Sequence, residues 1–264
     1  MSVFGNEMAK RSVLRCLSVD SNLRMILLTG PDHIGKRSWA EDVLSSLSGP
    51  DFMTVSDGID SVREAVAFSA TAPSSTGFRS ILVDAADRLS EPAQDALLKL
   101  CEEPPGDLRV VLVSSDEGLL PPALLSRVRK TVRWSPLSWN EMLEFGSSVG
   151  ADELALRMCY GRPGLFSSIS SNPGFVGLHE AIISIGSMDP SATLVPDPIK
   201  SLKSGPSPIR DAICLVIEEA AKALVSSGRG PLAIPFFKLS SSLAKVPSLN
   251  AEIHWFRACL EASL

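Results

Sequence analysis

Residues 30–38, GPDHIGKRS, decide how this chain is read. They follow the pattern G-x-x-x-x-G-K-[ST], in which backbone N–H groups between the glycines cradle phosphates, the lysine reaches the terminal phosphates and the last hydroxyl coordinates magnesium. Gly30, Gly35 and Lys36 retain the first two capacities, but Arg37 stands where the hydroxyl belongs. A guanidinium carries donors only and stays charged, so it cannot ligate a metal. The stretch is a degenerate phosphate-binding loop that has given up its magnesium ligand.

Its surroundings supply the required strand, loop and helix. The apolar run Met25–Leu28 ends just before Gly30, and Ser38–Leu47 reads as the helix whose N-terminal N–H groups and dipole face a phosphate. Met8, Val13, Leu14 and Leu17 mark a helix over 7–19. A second buried strand, Ser80–Val83, ends at Asp84 and is expected beside the first. Helix Glu91–Cys101, strand Arg109–Val113, helix Pro122–Arg127 and strand Thr131–Trp134 follow. This alternation predicts an α/β fold, a parallel sheet with helices on both faces. In ILVDAADRL, 81–89, Asp84 occupies the acidic strand end, the Walker B position, but Ala85 stands where hydrolytic sites place a water-activating glutamate. Two losses in one site argue against hydrolysis. A carboxylate left without its metal needs another countercharge, and Arg37, next door, is expected either to pair with Asp84 or to reach a bound phosphate.

Beyond Trp134 the strand signal stops. Ser138 and Glu141 form a capping-box pair, and helices are expected at 139–147, 151–160 and 174–187. Residues 188–210 are rich in proline and serine and read as a linker. Helices Ile209–Ser226, Ile234–Lys245 and Asn250–Leu264 complete the chain. Ile213, Val216, Ile217, Ala220 and Leu224 make one face of the first of these, either an internal core or an intersubunit surface.

Composition narrows the function classes. The 264 residues are 45% hydrophobic and 21% charged, with no apolar run long enough for a membrane span. The start, MSVFGNEMAKR, lacks the apolar core of an export signal, so a cytoplasmic protein is expected. Cys16, Cys101, Cys159, Cys214 and Cys259 are far apart, without C-x-x-C spacing, and His33, His179 and His254 are scattered, so no metal site is expected. A formal charge of −5 argues against a surface coated by nucleic acid while allowing a local basic patch.

The segment DAADRLSEPAQDALLKLCEEPP, 84–105, resembles the signature A-x-x-ALLK-x-x-EEPP that follows the Walker B aspartate in AAA+ sliding-clamp loader subunits. IDSVREAV at 59–66, LLPPALLSRV at 119–128 and GRPG at 161–164 are similar to further segments of the delta-prime type, in the family's order. The resemblance covers roughly residues 5–165; the C-terminal third matches only in being helical. It implies an AAA+ P-loop domain at 1–137, a helical lid at 138–187, a linker at 188–208 and an all-helical oligomerising collar at 209–264. Arg127 then aligns with the arginine finger presented to ATP on a neighbouring subunit, where a trans arginine stabilises charge on the transferred phosphoryl group. Val128 replaces a cysteine at a packing position. Ser114 and Ser115 fall in the sensor 1 region, and Gly164 occupies the lid position that usually holds an arginine, with Arg162 two residues early. The zinc-binding cysteines of bacterial relatives are missing. Arg88 and Lys99 lie on or next to the helix that clamp loaders turn toward duplex DNA.

The resemblance implies a non-hydrolysing subunit of a hetero-pentameric clamp loader, associated with the replisome, that helps place the sliding clamp on primer-template DNA. It requires no cofactor, or holds ATP or ADP unhydrolysed and without magnesium dependence. A weakly active clamp-loader ATPase and an AAA+ adaptor of another replication or repair assembly are the alternative readings.

Overall fold

The strand Met25–Thr29 (β1) alternates between two cores, and that alternation organises the N-terminal half of the chain. The structure, a computed structural model, describes residues 3–19, 24–56, 58–74, 77–102, 107–172, 174–184, 196–200, 208–245 and 251–263. It divides into two compact units, Met1–Pro136 and Leu137–Leu264.

In the first unit, helix Glu7–Val19 (α1) precedes β1, and helix Lys36–Ser48 (α2) follows it. Strand Phe52–Val55 (β2), helix Ile59–Ser69 (α3), strand Arg79–Val83 (β3), helix Glu91–Glu102 (α4), strand Leu108–Ser114 (β4), helix Pro122–Leu125 (α5) and strand Lys130–Arg133 (β5) complete it. All pairings are parallel and the sheet order is β2-β3-β4-β1-β5. The strand ending at Asp84 therefore does not lie beside β1 as expected, because β4 runs between them. On one face Met25 and Leu27 join Val62 and Ala65 of α3 and Ala93, Leu97 and Leu100 of α4. On the other, Ile26 and Leu28 join Val13 and Leu17 of α1 and Trp39, Ala40 and Leu44 of α2. A strand buried on both faces is what a parallel sheet under two helical layers requires.

The second unit holds helices Trp139–Val149 (α6), Glu153–Cys159 (α7), Phe166–Ser170 (α8), Gly174–Ser184 (α9), Asp197–Lys200 (α10), Pro208–Ser226 (α11), Gly230–Lys245 (α12) and Ala251–Ser263 (α13). The capping box at the start of α6 is formed: Ser138 N–H donates to Glu141 Oε2 at 2.8 Å and Glu141 N–H donates to Ser138 Oγ at 3.4 Å. α11 packs on α7, α8, α9 and α12, so helices read as lid and as collar share one unit. Ile213, Val216, Ile217, Ala220 and Leu224 are fully buried in it, which makes that stripe internal core. Of the segment read as linker, 196–200 is described and contains α10; 188–195 and 201–207 lie outside the described residues, as do 185–187, 250 and 264 at the ends of expected helices. Among the described residues no helix is long and apolar enough to cross a membrane.

Candidate functional site

Three residues of the loop 30–36 adopt left-handed backbone: Gly30 at φ 139°, His33 at 65° and Gly35 at 91°. Gly30 is required by its neighbour, since a Cβ there would overlap the carbonyl oxygen of Trp134, whose own N–H donates to Thr29 O at 2.8 Å. At Gly35 a Cβ would overlap Cγ1 of Val3. Lys36, the first residue of α2, is buried and turns its ammonium back into the loop. It donates to Gly30 O and, at 2.6 Å, to Pro31 O.

Arg37 reaches across to the end of β3. Its Nη1 donates to Asp84 Oδ2 at 3.1 Å, and its Nε stands 3.8 Å from Glu41 Oε2. The partners are not deeply buried: the side chains are 51% and 24% exposed. The strand end opens toward the surface, so Asp84 is not a fully buried carboxylate. Ala85 follows in left-handed backbone, φ 45° and ψ 46°, a conformation that costs a residue with a Cβ about 1–2 kcal/mol. Arg88 donates to Asp32 of the loop, so a second ion pair joins the loop to the segment after β3. Ser115, after β4, gives its N–H to Asp87 Oδ1 at 3.2 Å and its hydroxyl to Asp87 Oδ2 at 2.5 Å. Ser114 is buried and donates to Asp116 O at 2.7 Å.

Arg127 sits just past α5, which ends at Leu125 rather than at Arg127. Its Nη1 donates to Ala123 O at 2.8 Å, closing the helix C-terminus, and Nη2 donates to Glu102 of α4. Val128 packs against the core of that face. Burial pushes the thiol of neighbouring Cys101 up to about 12, against the opposing pull of the Arg127 charge. Lys99 is exposed on α4 and lines a shallow groove with Asp95, Arg63, Val66 and Ile59. Glu103, Pro104 and Pro105, which end the clamp-loader-like segment, lie outside the described residues. In the second unit Gly164 lies in a short turn and Arg162 precedes it, its Nε buried without a hydrogen-bond partner.

The structure places Gly30, Gly35, Lys36 and Arg37 in one loop and helix start, with Asp84 reached by Arg37. Sequence reading missed Val3, Asp32, Asp87 and Glu102, the residues against which Gly35, Arg88, Ser115 and Arg127 are set. The frame of glycines and lysine suits a phosphate group. The donor set does not suit magnesium, which needs oxygen ligands: Arg37 and Ala85 supply none, and Asp84 already carries a cation. Among the described residues no cluster of three or more His, Cys, Asp or Glu side chains could hold a metal.

The family model described as DNA polymerase III, delta subunit, matches residues 42–136. Replication factor C subunit 3 of Blastobotrys adeninivorans is 31% identical over 128 residues, 45% of this chain and 38% of that protein. Replication factor C subunit 5 of Arabidopsis thaliana is 33% identical over 133 residues, 46% of this chain and 36% of that protein. The matches thus span well under half of these relatives' length. Among solved structures, a DNA polymerase III gamma subunit-related protein of Thermotoga maritima superposes with TM-score 0.55 at 14% identity, covering 96% of this chain and 98% of that one. The RuvB Holliday junction branch migration motor of the same organism gives TM-score 0.53 at 16% identity, over 92% of this chain and 85% of that one. These two structures share the AAA+ fold. Motif, relatives and fold agree in what the chain is similar to: over part of its length it resembles clamp-loader subunits, and its fold is that of AAA+ proteins.

Proposed function

We propose that the chain is a delta-prime-like subunit of a clamp-loader ring, one that does not hydrolyse ATP itself and lends Arg127 to the ATP site of a neighbouring subunit. The observation that carries this reading is the Arg37–Asp84 pair at 3.1 Å. Where a hydrolysing site gathers a hydroxyl and a carboxylate around magnesium, this chain sets a fixed cation against the carboxylate, and Ala85 cannot activate water. Any nucleotide held by Gly30, Gly35 and Lys36 stays intact and needs no magnesium. Ser115, committed to Asp87, holds the loop after β4 rather than sensing a phosphate.

In the ring, the partners are other AAA+ subunits, the sliding clamp and primer-template DNA, in the replisome of the cytoplasm. Lys99, exposed on α4, contributes a phosphate contact to DNA; Arg88 is engaged by Asp32 and contributes less. The exposed apolar residues Ile234 and Phe237 of α12 and Val225 of α11 furnish collar contacts to neighbours.

Reconstitution with a hydrolysing AAA+ partner and a clamp tests the reading. Arg127→Ala is expected to slow the partner's ATP turnover, by up to roughly 10³-fold if the finger acts as trans arginines do elsewhere. Unchanged turnover removes the role of Arg127. Turnover by the purified chain alone, abolished by Lys36→Ala, would establish an active ATPase instead.

A further inference from the structure

The guanidinium of Arg127 is held in a negatively charged socket made by its own chain. Nη1 donates to Ala123 O at 2.8 Å and to Ser126 Oγ at 3.4 Å, while Nη2 donates to the carboxylate of Glu102. Glu102 is the last residue of α4, so the negative end of that helix dipole lies beside the carboxylate and adds to its pull on a cation. The charge of Arg127 also bears on the thiol of Cys101, which places it against the end of α4 and not out in solvent. Yet the pair is open to an approaching anion: the side chains of Arg127 and Glu102 are 31% and 50% exposed.

We propose that Glu102 is an autoinhibitory latch: it keeps Arg127 on its own chain, and the arginine reaches the ATP of a neighbouring subunit only when the carboxylate lets go. The inference rests on the proposed role of Arg127 and adds the regulation of that role. A carboxylate and a terminal phosphate compete for the same guanidinium donors, and held together around one cation they repel each other. The phosphate carries about −1.5 to −2 charges at neutral pH against one for the carboxylate, so it wins once the two subunits close. Release frees Nη2 while Nη1 stays on Ala123 O, so α5 continues to aim the side chain. An ion pair exposed to solvent holds weakly, which makes the latch a threshold that a well-docked neighbour crosses.

Steady-state ATP turnover by the complex formed with a hydrolysing AAA+ subunit and a clamp tests this, in complexes whose full assembly is confirmed by size. It is read as kcat/KM, where a cost paid on the way to the transition state appears in full. Glu102→Gln and Glu102→Ala are each expected to raise kcat/KM about two- to fivefold over the wild type, the range that a solvent-exposed pair can impose. The gain should shrink as salt is raised, because salt screens such a pair, and should vanish when Arg127→Ala is added. Unchanged or slower turnover in both Glu102 variants, with Arg127→Ala slow, overturns the latch and leaves the role of Arg127 standing. A gain that persists without Arg127 overturns the latch as well. Turnover indifferent to Arg127→Ala removes the role of Arg127 itself, and the latch falls with it.

Discussion

Arg37 exchanges a metal ligand for a fixed charge, and solvent sets what that exchange is worth. A fully buried pair broken on one side costs several kcal/mol, whereas exposed pairs are worth well under 1 kcal/mol. With side chains 51% and 24% exposed, Arg37 and Asp84 fall nearer the second case. A double-mutant cycle of Arg37→Ala and Asp84→Ala, read by urea denaturation, is therefore expected to give a coupling of about 0.5–1 kcal/mol. Strict additivity would show that the contact does not hold the loop to β3. The pairing is legible in the sequence because an unaccompanied acidic strand end demands a cation and Arg37 stands in the first turn of α2. Val3 over Gly35 is not legible: a contact between an aliphatic side chain and a distant glycine leaves no trace in spacing. The partner of Arg127 is hidden for a related reason, since Glu102 belongs to a motif read for its family likeness and not for its own charge.

At the scale of elements, β1, β3, β4 and β5 are legible in the sequence and β2 is not. β2 is four residues long at the sheet edge, and of these only Val55 is fully buried, so it carries neither a long apolar run nor clear alternation. What fixes this edge is polar. Asp51, almost wholly buried just before β2, accepts Ser74 N–H at 2.9 and 3.0 Å through its two oxygens and the Ser74 hydroxyl at 3.0 Å. Arg79, at the start of β3, lies 3.6 Å from Asp51, donates to Phe68 O and to Ala72 O at 2.8 Å, and stacks on the Phe68 ring. The pair thus ties β2, the end of α3 and β3 together. Leaving Arg79 without its carboxylate should be costly: Asp51→Ala is expected to lose about 3–5 kcal/mol of stability. A loss below about 1 kcal/mol in denaturant titration would show that the backbone bonds alone hold the edge.

Across the whole molecule, the helical unit hides a titratable group in its core, and this makes the protein's stability depend on pH in a defined direction. His179 is buried on α9, which packs against α10 and α11. Burial holds its imidazole below the usual value, with Glu180 pulling weakly the other way. Above about pH 6.5 the imidazole is neutral in both folded and unfolded chains and has no effect on the balance. As pH falls through that value, the unfolded chain takes up a proton that the fold resists, so stability is lost until the folded imidazole also protonates. Glu261 acts in a separate, lower window: the hydrogen bond from Arg257 lowers its carboxyl, so the stabilisation it gives is present at neutral pH and lost only as pH falls through its depressed value. The two contributions can therefore be resolved. Melting temperatures measured from pH 7 to pH 5 should fall less steeply for His179→Gln, which keeps a polar side chain but cannot titrate, than for the wild type. Identical slopes in the two proteins would assign the acid sensitivity to some group other than His179.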